Sequence, residues 1–168
     1  MNERKLKIIT HVGMWLAAIV GSSTALVFLI AGYIFEWGPG GSMIGPLWRI
    51  LLVGVPSALL GAYIGELVVR ILAKKMFAIL WTINRNTIRA FVVVLLGCFA
   101  GIIVGWEVGA ILGKVTGAIE GLDWTEVLIN SPIFALFYAI PVGLAVGILY
   151  ALFVLIFLKS GDRHSGNN

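Results

Sequence analysis

Glycine returns at every fourth position along one apolar run: Gly97, Gly101, Gly105, Gly109, Gly113, Gly117 and Gly121. An α-helix turns once per 3.6 residues, so positions four apart share nearly one face. In water such a helix is self-defeating, because each interior glycine costs about 1 kcal/mol relative to alanine. In lipid the balance changes. A face without side chains lets another backbone approach closely, and close packing is what associates helices where the solvent is itself apolar. The ladder therefore predicts a membrane helix whose seven glycines are packing residues.

Composition points the same way. The chain is 60% hydrophobic and 12% charged, about half the charge of an ordinary soluble domain. Four stretches are long enough to cross roughly 30 Å of hydrocarbon: about 8–35, 47–72, 90–119 and 132–158. Unpaired backbone groups are not tolerated in lipid, so each is expected to be a helix. The reading is an all-α integral membrane protein with one four-helix domain over 1–159 and a disordered cytoplasmic tail at 160–168. The N-terminal apolar run is about twice the length of a signal core, and it reads as a retained span. One cysteine, Cys98, gives no disulfide framework and no cysteine-based metal cluster. No metal or other cofactor is implied.

The charges give an orientation. Arg4, Lys5 and Lys7 precede span one, and Arg70, Lys74, Lys75, Arg85 and Arg89 surround the connection between spans two and three. Lys159 and Arg163 follow span four, whereas the other side has Glu36, Glu120, Asp123 and Glu126 against Arg49 and Lys114. By the positive-inside rule both termini are cytoplasmic, in the cytoplasmic (inner) membrane. Cations grouped beside apolar spans suit anionic lipid at that face and not nucleic acid. The segment 74–85 has apolar and aromatic residues between cations, the pattern of an interfacial helix between spans two and three. Trp37, Trp48 and Trp124 read as anchors at the outer boundary.

The chain also reads as duplicated. Pro56 to Lys74 in span two aligns with Pro141 to Lys159 in span four, and Ile19–Gly21 in span one aligns with Ile103–Gly105 in span three. Two related hairpins in a parallel, 2+2 arrangement would follow. Pro56 and Pro141 would then be equivalent helix kinks, opening a vestibule on the outer side. Small residues recur four apart in every span, so the helices can pack on one another, on further copies, or on other membrane proteins.

Most charges lie near an interface. Glu66 stands four residues before Arg70, the spacing of a local ion pair. Glu107 lies deeper, about 6 Å from the middle of span three on the assumed boundaries, where an unpaired charge is costly. Such a carboxylate must face a polar cavity, meet a cation or take up a proton. Glu107, with Ser22 and Ser23 at matching depth in the duplicated hairpin, forms the candidate ion or proton site. The structural alternative pairs Glu107 with Ser22, Ser23, Thr24 or Tyr63. No nucleophile has a base nearby, so the sequence carries no enzyme signature. Two functions remain: an oligomeric channel or transporter with Glu107 in its polar interior, or an accessory subunit docking partner helices through the glycine face.

Overall fold

The computed structural model describes residues 3–36, 50–77, 83–116 and 123–163, with side chains defined over most of these except 24–50. They form four long helices: α1 (Glu3–Glu36), α2 (Val55–Met76), α3 (Ile83–Val115) and α4 (Ser131–Arg163). Each is long and apolar enough to cross a membrane, and the chain is a multi-pass membrane protein.

All four helices differ from their hydropathy limits at one end or both. α3 begins at Ile83 rather than near residue 90, and α4 runs on to Arg163, through the first residues of the expected tail. Polar residues at a membrane surface still satisfy their backbones within a helix, so helices outlast their apolar runs. Arg89 strengthens the α3 start by donating to the Met76 carbonyl at the end of α2, at 2.9 Å. The expected interfacial helix falls partly outside the described residues. Its first residues, Lys74 and Lys75, belong to α2, Phe77 turns off that helix, and Ile83 to Arg85 already open α3.

Two π-turns, Ile50–Gly54 and Glu126–Asn130, lead into α2 and α4. Each is followed at its second residue by proline, Pro56 and Pro132. Proline has no N–H and its ring clashes with the carbonyl four residues back. A wider turn before it relieves that clash, and the first helical turn tolerates it. Within the turn leading to α2, the Ser57 hydroxyl donates to the Val53 carbonyl. The two prolines expected to be equivalent kinks, Pro56 and Pro141, have different local settings. Pro56 stands at a helix start, whereas Pro141 lies inside α4. In local structure the counterpart of Pro56 is Pro132.

Helices α1, α2 and α3 pack on one another, while α4 lies along α3 and touches α1 only narrowly. The trio meets where three glycines coincide. A Cβ added to Gly61 would lie 2.5 Å from the Gly21 carbonyl oxygen and 2.9 Å from that of Gly101. One turn away, a Cβ on Gly65 would lie 2.7 Å from the Ala17 carbonyl, and one on Gly97 would lie 3.1 Å from that of Gly65. These are contacts of main chain on main chain, the close approach that only absent side chains permit.

The seat of α4 is different. Gly143 and Gly147 form notches that receive the rings of Phe99 and Phe91. Tyr150 fills the space beside Gly13, and its hydroxyl donates to the Ile9 carbonyl across the bundle. Tyr150 is buried, so Tyr150→Phe should lower stability by about 1 kcal/mol. Unfolding in graded SDS measures this. An unchanged midpoint would mean that the bond contributes nothing to α4 docking.

Candidate functional site

The second half of α3 carries one carboxylate, Glu107, well inside the helix. The longer α3 has its midpoint at Phe99, so Glu107 stands about 12 Å along the axis from it. That is farther out than hydropathy implied, yet still within the roughly 15 Å half-thickness of hydrocarbon. Glu107 is half-buried between Gly105 and Gly109, and its Oε2 is buried with no hydrogen-bond partner among the described residues. A buried acceptor left unpaired is uncommon and calls for an explanation.

A second unpaired group lies at the same height. The contacts of Gly143 with Phe99 and of Gly147 with Phe91 fix α3 and α4 as antiparallel neighbours. Extending that register puts Glu107 level with the first turn of α4. Ser131 begins that turn, 8% exposed, with its Oγ likewise buried and without a partner among the described residues. Both π-turns also pack on α3. The α2–α3 register, set by Gly61 against Gly101 and Gly65 against Gly97, brings Ile50–Gly54 level with the α3 turn that follows Glu107. A carboxylate, a hydroxyl and backbone outside the regular α ladder therefore share one end of the bundle. π-turns gather at functional sites for this reason: they free carbonyls from the usual pattern.

The other expected members lie elsewhere. Ser22 donates to the Ile19 carbonyl at 2.8 Å, and Ser23 donates to that of Val20 at 2.7 Å. Ser23 also lies 3.3 Å from the Tyr138 hydroxyl of α4. Neither serine hydrogen-bonds Glu107. Since α1 runs parallel to α3 with Gly21 beside Gly101, both sit more than a turn below it. Tyr63 is 60% exposed on the outside of α2. The Thr24 side chain lies outside the described residues. Glu66 and Arg70 form the local ion pair that their spacing implied.

Of the ladder, Gly97, Gly101, Gly105, Gly109 and Gly113 are buried, and Gly117 and Gly121 lie outside the described residues. Cys98 is a free, fully buried thiol in the core. Among the described residues no three His, Cys, Asp or Glu side chains gather as metal ligands would. What this end of the bundle offers is hard oxygen: one carboxylate, one hydroxyl and nearby carbonyls, groups that can take up a proton or ligate a small hard cation. Ser131 escaped sequence reasoning because it immediately precedes Pro132, just outside the apolar window. Comparison with protein-family models, with curated proteins and with solved structures gives no match for this chain.

Proposed function

We propose that this protein is a small, non-catalytic transport protein or channel that accepts a proton or small cation at Glu107. The observation that carries the reading is the buried, unpartnered Oε2 of Glu107, with the unpartnered Ser131 hydroxyl at the same level. An intramembrane carboxylate without a cation is an expensive feature to retain unless it handles charge. Passage within one copy meets the backbone contacts of Gly21, Gly61 and Gly101, so the reading takes the working unit to be an oligomer. Membership of the inner membrane with both termini cytoplasmic rests on the clustered cations described above.

The accessory-subunit alternative has less support. It requires a glycine face open to a foreign helix, whereas Gly97 and Gly101 already meet Gly61 and Gly65. The duplication belongs with the proposal too. In the Pro56–Pro141 alignment the buried Gly65, Val69 and Ala73 coincide with the buried Tyr150, Val154 and Leu158. The hairpins then diverged, since α2 packs fully on α3 whereas α4 only brushes α1.

The test is flux in vesicles containing purified protein, read with internal pH- and cation-sensitive dyes. Wild type should dissipate an imposed gradient, and Glu107→Gln should do so about tenfold to a hundredfold more slowly. Equal flux from both proteins would end the Glu107 reading, and no flux from wild type would end the transport reading.

A further inference from the structure

At the end of the bundle opposite Glu107, a cleft of about 460 Å³ opens between α1 and α2. Its floor is apolar, formed by Leu6, Met14, Ala73 and Phe77. Its rim carries Lys7 and His11 from α1 with Arg70 and Lys74 from α2, all four exposed. Cations grouped along this face suit anionic lipid in general. The cleft is a defined site.

The register of the two helices explains why the cations converge. Gly21 against Gly61 and Ala17 against Gly65 make α1 and α2 antiparallel neighbours. Carried to the cleft, that pairing sets Lys7 level with Lys74 and, one turn deeper, His11 level with Arg70. The apolar stretch Leu51–Met76 has its centre between Tyr63 and Ile64. Lys74 is therefore about 16 Å from the midplane, at the edge of the hydrocarbon, and Arg70 is about 10 Å from it. Arg70 is partly neutralised by its ion pair with Glu66. Lys7 and Lys74 stand where a lipid phosphate lies, and Met14 continues the apolar floor toward the membrane centre.

We propose that this cleft is a binding site for one anionic phospholipid, its phosphate between Lys7 and Lys74 and an acyl chain along Met14 and Ala73. Charge complementarity commits the site to that occupant. A zwitterionic lipid brings a cation that the rim repels, and a free phosphate leaves the apolar floor unfilled. The inference is independent of the transport reading, because it concerns the opposite end of the bundle.

Native mass spectrometry of the full-length protein in mild detergent tests it, with phosphatidylglycerol and phosphatidylcholine titrated separately. Wild type should hold one phosphatidylglycerol at about tenfold or more lower concentration than phosphatidylcholine, as expected for two surface lysines. The double variant Lys7→Gln/Lys74→Gln should lose that preference, whereas Lys7→Arg/Lys74→Arg should keep it. Lys75→Gln removes an exposed charge that does not line the cleft, and it should also keep the preference. Equal adducts from both lipids with wild type would overturn the site. So would loss of preference in Lys75→Gln, which would reveal a generic basic surface. Displacement of phosphatidylglycerol by millimolar inorganic phosphate would overturn the lipid as occupant and leave a simple anion site.

Discussion

Gly61→Leu is expected to yield no folded protein, and Gly61→Ala alone should destabilise the bundle by roughly 3 kcal/mol, the upper range for overpacking a rigid core. Gly61 is enclosed on two sides by main chain, from Gly21 and from Gly101. A backbone cannot rotate aside as a side chain does, so even a methyl group must push two helices apart. The contrasting variant is Gly143→Ala. Its Cβ also meets an atom at 2.5 Å, but that atom belongs to the Phe99 ring, which can turn away. The overpacking there is about 1 kcal/mol and is offset by a similar gain in helix propensity. SDS titration of both variants, followed by circular dichroism, should therefore show a large loss at Gly61 and almost none at Gly143. Equal losses would mean that the trio is no tighter than the α4 seat.

The glycine ladder made the α3 packing face legible, because period and composition alone identify a face without side chains. Register was not legible. That Gly101 meets Gly61 and Gly21, while Gly97 meets Gly65 and Ala17, is one register among several a turn apart, and any of several small residues satisfies the same pattern. The four spans were legible for a similar reason: apolar length is a bulk property. Their ends were not, since Asn86 and Arg89 precede the apolar run yet lie within α3. A helix end follows backbone hydrogen bonding, and Arg89 bonding to the Met76 carbonyl is a tertiary event. At the candidate site, Glu107 was conspicuous as the one carboxylate deep in span three. The duplicated alignment sets Ser22 and Ser23 at its depth, whereas the packing of Gly21 on Gly101 places both serines more than a turn away and the α3–α4 register sets Ser131 level with it. Hydroxyls in a helix also have an internal outlet, their own preceding carbonyls, and both serines use it.

Replacing Glu107 should separate function from stability in opposite directions. If Oε2 is held for charge handling, Glu107→Gln removes a group whose charge-assisted contacts are worth roughly 1.5–3 kcal/mol to a bound ion. Flux should then fall by on the order of tenfold to a hundredfold. The same carboxylate adds no visible hydrogen bond to the bundle, since its buried oxygen bonds no described residue. Removing the charge should leave the bundle as stable as before, or more stable by about 1–3 kcal/mol, the scale of desolvating a carboxylate within a spanning helix. Glu107→Leu should carry both effects furthest. Graded SDS unfolding supplies the stability axis, and vesicle flux supplies the functional one. Ser131→Ala is the companion measurement. It deletes the other unpartnered group and should weaken flux less than Glu107→Gln while leaving unfolding unchanged. A structural carboxylate behaves in the reverse way: its loss leaves a partner stranded and lowers stability. A clear destabilisation in both Glu107→Gln and Glu107→Leu, with flux intact, would assign Glu107 to the scaffold.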